Sequence, residues 1–226
     1  MHEWTHVLVV AAHPDDEALG CAGTMARLAS EGAEVHTLFL SDGVNARGEV
    51  ADTALAERRA MGDRAAAVLG TALPAYLSFP DNRMDSVDLL DVVAAIENHA
   101  SAIQPQAVFT HFAGDLNIDH RLCAQAVLTA FRPMPGQSIR SIYGFEVASS
   151  TEWAFGAAGI NFAPDSFFDI SEHLPQKIEA LRAYAEEMRE FPHARSIEAI
   201  EALARWRGAS VGVEAAEAFC LMRALI

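Results

Sequence analysis

Val7-Leu8-Val9-Val10-Ala11-Ala12 runs straight into His13-Pro14-Asp15-Asp16-Glu17. An unbroken apolar run that stops at acids and an imidazole reads as a buried strand entering a loop. In an open parallel α/β sheet, ligands bind at the carboxyl ends of the strands. One imidazole and three carboxylates at such an end suit a divalent metal, zinc most readily. The same residues also fit a plain turn, with Asp15 or Asp16 capping the next helix.

The rest of the chain alternates. His6–Ala12, Glu34–Leu40, Ala75–Phe79, Ala107–His111 and Ser138–Val147 read as strands, and Glu17–Glu31, Ala51–Leu69, Val87–Ile103 and Asp119–Phe131 as helices. Gly32 and Gly70 fall where helices end. Ser41–Val50 is a polar loop long enough to be functional. This spacing predicts an α/β fold: a doubly wound, mostly parallel, Rossmann-like sheet with helices on both faces. Phe167–Ile170 reads as a further short strand. Ser171–Arg189 and Ser196–Arg207 read as two amphipathic helices, an added C-terminal helical section. No repeat or linker divides the chain, so one α/β domain over residues 1–226 is expected. The first strand is not followed by Gly-x-Gly-x-x-Gly, which sets a dinucleotide-binding reading aside.

The fourth strand ends in a second charged cluster, His111-Phe112-Ala113-Gly114-Asp115-Leu116-Asn117-Ile118-Asp119-His120-Arg121. A doubly wound sheet can set this loop beside the first. A His and an Asp from one loop and a His from the other then make a three-ligand site whose fourth position is left to water, the pattern of catalytic zinc. Asp119 is counted with the catalytic residues, as a carboxylate supporting a ligand, or is simply the cap of the following helix. His2, His6, His36, His99, His173 and His193 have no evident partners and read as structural or surface residues. Glu146 and Glu152-Trp153 are candidates for the pocket rim.

Charge narrows the partners. With 16 Lys+Arg against 31 Asp+Glu, a formal charge of −15, the chain lacks the clustered cations that nucleic acid or an anionic membrane requires. No apolar run is long enough for a membrane span, and the N-terminus has no basic stretch leading into an apolar one, so no signal peptide is expected. Cys21, Cys123 and Cys220 form no Cys-x-x-Cys pair, which suggests free thiols and a cytoplasmic location.

His13-Pro14-Asp15-Asp16-Glu17 with Asn117-x-Asp119-His120 resembles the LmbE/PIG-L family of zinc-dependent N-deacetylases, which remove acetyl groups from N-acetylglucosamine-type sugars. The likeness extends over Asn45–Gly70 and Phe79-Pro80-Asp81. It resumes at Pro192-His193-x-Arg195-Ser196, Arg207-Gly208 and Ala215-Ala216-Glu217-Ala218-Phe219. It implies His13, Asp16 and His120 as zinc ligands, Asp15 as general base, and Arg58 and Asp81 as sugar-binding residues. Fe²⁺ or Co²⁺ would suit the same ligand set. Many members carry a His where this chain has Asn117; that His is assigned to the oxyanion. Here His111 or Asn117 would take the role, with Asn117 otherwise shaping the substrate pocket. The expected reaction is removal of acetyl from an N-acetylated amino sugar or its nucleotide, lipid or thiol conjugate. The alternatives are hydrolysis of another N-acylated small molecule, or a non-catalytic ligand-binding protein on the same fold. The expected partner is a small molecule, with a homo-oligomer possible in principle.

Overall fold

The computed structural model describes residues 4–44, 52–157 and 159–225. Residues 45–50 of the predicted Ser41–Val50 loop, and Ala51, lie outside that range. The order of elements is β1 (His6–Ala11), α1 (Asp16–Ser30), β2 (Glu34–Ser41), α2 (Asp52–Leu69), β3 (Ala75–Phe79), α3 (Leu89–Ile103), β4 (Ala107–His111), α4 (Ile118–Ala130), β5 (Ser141–Phe145), β6 (Ser166–Asp169), α5 (Leu174–Ala183), α6 (Ile197–Ala209) and β7 (Ala216–Ala224).

The strands form one sheet in the order β3-β2-β1-β4-β5-β7-β6. β1 to β5 are parallel, and β7 pairs antiparallel with both β5 and β6. The expected α/β, mostly parallel architecture is present. Alternation along β1 explains the two covered faces. Val7, Val9 and Ala11 pack with α1, α2 and α5 residues such as Met25, Met61 and Leu181. Leu8 and Val10 pack with Ile96 of α3 and Val127 of α4. The chain winds outward from β1 through β2 to β3 on one side, and from β4 to β5 on the other. The winding reverses between β1 and β4, and a crevice opens there at the strands' carboxyl ends.

The C-terminal section differs from its expected form. Its first helix is shorter, α5 running only from Leu174 to Ala183, and β7 joins the expected strand β6. β7 went unpredicted because a charged residue, Glu217, interrupts its apolar run. Phe109, Tyr143, Phe168 and Phe219 tie these strands to the parallel half, with Phe109–Phe219 and Phe168–Phe219 ring centroids each 5.2 Å apart.

Glu217 has a structural task. Helix α1 is broken at Cys21, whose φ of −146° is not helical. A break leaves carbonyls unpaired before it and N–H groups unpaired after it. Glu217 accepts from the Gly23 and Thr24 N–H groups at 3.0 and 2.7 Å. Lys177 Nζ donates to Leu19 O at 2.8 Å and to Glu217 Oε1 at 2.6 Å. The buried pair therefore splices the helix. Gly20 lets it sit close to the sheet, since a Cβ there would lie 2.3 Å from Phe145 Cδ2.

Candidate active site

The loops after β1 and β4 meet at the crevice. His13, Asp16 and His120 are buried, and one donor atom of each lies within 4.8 Å of the others. Asp16 is held by the turn itself, its Oδ2 accepting from the His13 N–H at 2.8 Å. Asp16 Oδ2 faces His13 Nδ1 at 3.2 Å, and Asp16 Oδ1 faces His120 Nε2 at 3.3 Å. Asp16 Oδ1 is buried and makes no hydrogen bond, which is the state expected of a ligand atom.

Each imidazole has a carboxylate at its other nitrogen. Asp119 Oδ2 lies 3.1 Å from His13 Nε2, and Asp115 Oδ1 lies 3.1 Å from His120 Nδ1. Such partners fix the ring and its tautomer at metal sites. Both carboxylates are themselves anchored. Asp119 accepts from the Asn82 and Met84 N–H groups at 2.7 and 3.0 Å. Asp115 accepts from Ser150 Oγ and from Thr151 Oγ1. Burial disfavours charge on His120, but Asp16 and Asp115 outweigh it and raise its pKa to about 9. His13 is raised too, burial being overcome by Asp119, Asp16 and Asp81. The pocket is built to hold positive charge, and its donor set fits a divalent metal.

Asp15 sits beside these residues with φ 128°, a conformation that favours glycine. Strain of this kind costs about 1–3 kcal/mol and persists only where the surroundings hold it. Here Asp15 N–H donates to Glu17 Oε2 at 3.1 Å, and Glu17 Oε1 accepts from Tyr184 OH at 2.7 Å. Burial pushes the Asp15 carboxyl up to about 7, against the pull of Arg195. Arg195 Nη1 donates to Asp15 Oδ2 at 2.8 Å.

These groups open onto a cavity of about 440 Å³. Its wall includes His13, Asp15, His120, Arg58, Asp81 and Asn117, together with Ser149, Glu187, Arg189 and Arg195. Arg58 is buried, bonded to Glu187 and to Pro14 O.

The PIG-L family profile, described as GlcNAc-PI de-N-acetylase, matches residues 8–131, more than half of the chain. The chain belongs to the PIG-L family. Among similar proteins is a probable N-acetyl-alpha-D-glucosaminyl L-malate deacetylase 2 of Bacillus cereus, 27% identical over 212 residues that cover 89% of this chain and 93% of that protein. The conserved protein TT1542 of Thermus thermophilus has a similar structure, with TM-score 0.77, 26% identity and coverage of 97% of this chain and 96% of that one. GalB, the 4-carboxy-2-hydroxymuconate hydratase of Pseudomonas putida, shares the fold at TM-score 0.76 and 24% identity, with 98% of each chain covered.

In this PIG-L chain three expectations need correction. His111 is fully buried and off the cavity wall. Its Nε2 accepts the Ala12 N–H at 2.8 Å, and its ring stacks on His120 with centroids 4.0 Å apart. It therefore braces the loop, and its Nδ1 is buried off the cavity wall with no hydrogen bond. Asp119 reaches His13 and two backbone N–H groups, so it positions a ligand and is not a catalytic residue in contact with substrate. The cap of α4 is Asn117, whose Oδ1 accepts the Asp119 N–H at 2.8 Å. Glu146 turns away to bind Arg207, at 2.9 and 2.8 Å.

The residues that sequence reasoning missed are Asp115, Glu187 and Arg195. Asp115 was visible in the second cluster but carried no local sign of its role. Arg195 stood in the Pro192-His193-x-Arg195-Ser196 likeness without an assigned task. It lies 180 positions from Asp15, and no periodicity reports a contact of that range.

Proposed function

We propose that this chain is a zinc-dependent N-deacetylase acting on an N-acetylated amino sugar or a conjugate of one. The observation that carries the reading is the strained, buried Asp15 at the cavity wall, adjacent to the His13, Asp16 and His120 donors. The family description and the named B. cereus relative support the substrate class.

A divalent ion held by His13, Asp16 and His120 would supply Lewis acidity and lower the pKa of a water molecule. Asp15 takes the proton of the attacking water and returns it to the leaving amine, with a carboxyl that burial has already moved toward neutral pH. Arg195 holds Asp15 by one oxygen and leaves the other for that proton. Asp119 and Asp115 keep the two imidazoles oriented, His13 with Nδ1 and His120 with Nε2 toward Asp16. Arg58 and Asp81, on the cavity wall, are placed to bind sugar hydroxyls. Of the two oxyanion candidates, only Asn117 lines the cavity. Its Nδ2 donates to Asn82 Oδ1 at 3.0 Å and has a second hydrogen to offer.

The test is acetate release by zinc-loaded enzyme from a panel of N-acetylglucosamine conjugates, with other N-acylated small molecules alongside. Release from the amino-sugar members is expected. Release only from the others would move the substrate class, and no release from any would refute deacetylation. Because a hydratase shares the fold, the panel also includes an unsaturated hydroxy acid, which should remain unchanged.

A further inference from the structure

The opposite end of the sheet carries another set of ligand-type side chains. His6 opens β1, and Glu34 and His36 open β2, with His6 paired to Glu34 and Leu8 paired to His36. In a strand, residues two apart share a face, so Glu34 and His36 project on one side. Through the parallel register His6 joins them, on the face covered by α3 and α4. The Glu34 carboxylate lies between the two rings. Its Oε1 is 3.2 Å from His36 Nε2 and its Oε2 is 3.6 Å from His6 Nδ1. One donor atom from each of the three lies within 4.8 Å of the others.

We propose that His6, Glu34 and His36 form a second divalent-metal site, of the zinc class, at the amino-terminal edge of the sheet. Two imidazoles and a carboxylate are a donor set zinc accepts, and the fourth position is open to water. His6 Nδ1 is buried and has no hydrogen bond, an arrangement that costs free energy until something binds that nitrogen. The side chains of Glu34 and His6 are 58% and 41% exposed, so an ion can enter from solvent. His99 of α3 lies close enough to His36 to disfavour charge on its own ring, behind the larger effect of burial. The ion would pin the start of β1 to the start of β2, far from the cavity at the other edge.

The competing description is a simple ion pair between Glu34 and a protonated histidine. Metal counting separates the two. Stripped protein is dialysed against Zn²⁺ buffered by a weak chelator, and zinc per chain is measured by elemental analysis. The parent should take up two, His36→Gln one, His120→Ala one, and the double variant His36→Gln/His120→Ala none. In the His120→Ala protein, added zinc should raise Tm, and in the double variant it should not. Zinc-edge anomalous scattering from soaked crystals should place a peak among His6, Glu34 and His36. If His120→Ala binds no zinc, or if His36→Gln holds as much as the parent, the second site is wrong. Should the cavity site itself fail to hold zinc, the parent would bind one and His36→Gln none, which keeps the two questions apart. His6→Ala gives an independent check if His36→Gln folds poorly.

Discussion

Glu217→Ala tests whether a buried ion pair on β7 holds together the helix that carries the site. The Glu217 carboxylate is the acceptor for two N–H groups of α1 and for Lys177 Nζ, and both side chains of the pair are 4% exposed. Among the described residues, removing it leaves a buried ammonium with Leu19 O as its partner, and two N–H groups without the acceptor they had. Breaking a buried pair from one side costs about 3–5 kcal/mol. Each orphaned buried donor costs about 1–3 kcal/mol, but these overlap with the first figure, so the expected loss is about 4 kcal/mol. That is a large part of the roughly 5–15 kcal/mol a domain typically has.

Lys177→Met should cost less, about 2–3 kcal/mol, because Glu217 keeps both backbone donors and loses one charged hydrogen bond. Lys177→Met/Glu217→Leu removes both charges. It should be more stable than Glu217→Ala, since apolar replacement of a whole buried pair is often neutral. Urea unfolding reads all three, with an unchanged m-value required for the comparison. A Glu217→Ala protein within about 0.5 kcal/mol of the parent, the range of an ordinary surface change, would refute the splice. So would a Lys177→Met protein less stable than Glu217→Ala.

Asp15→Asn should retain zinc and fold while acetate release falls about 10²–10⁴-fold, the scale of general-base loss; near-normal turnover would move the base elsewhere. Arg195→Met removes the charged hydrogen bond to Asp15, about 1.5–3 kcal/mol, together with those to Ser149 Oγ and Ala148 O. Turnover should fall roughly 10–10²-fold with zinc content unchanged, and an unaffected kcat would remove Arg195 from the site. His111→Ala should lower stability by about 1–3 kcal/mol, by orphaning the Ala12 N–H, and should weaken zinc retention. If it instead kept both and lost 10²–10³ in kcat, the oxyanion role would return to His111.

The sequence made the parallel half legible because two signals coincide there. Apolar runs of strand length alternate with helical stripes, and each polar cluster starts where a run stops, as at Ala12/His13 and at Thr110/His111. Strand ends, and the loops that bring His13, Asp16 and His120 together, were readable from that alone. Other features were not, because they are set by contacts between distant segments. Glu217 interrupts the apolar run of β7, and its buried carboxylate makes sense only beside the break in α1. Likewise His6, Glu34 and His36 look like scattered polar residues until the register of β1 and β2 aligns them. His111 looked catalytic because it stands at a strand end, yet the strand's last side chain points into the packing behind His120.

α5 ends where Tyr184 reaches the turn at Asp15 through Glu17. The helix predicted to run to Arg189 ends at Ala183, and Tyr184 already has φ −100° and ψ 39°. Tyr184 is fully buried and donates to Glu17, which in turn holds the Asp15 N–H. The segment beyond it sets Glu187 and Arg189 on the cavity wall, and Glu187 takes hold of Arg58. The parallel half thus brings His13, Asp16 and His120 together, while the C-terminal section holds the strained Asp15 beside them through Tyr184, Glu17 and Arg195. Tyr184, Glu187 and Arg195 all lie beyond residue 131, where the PIG-L match ends.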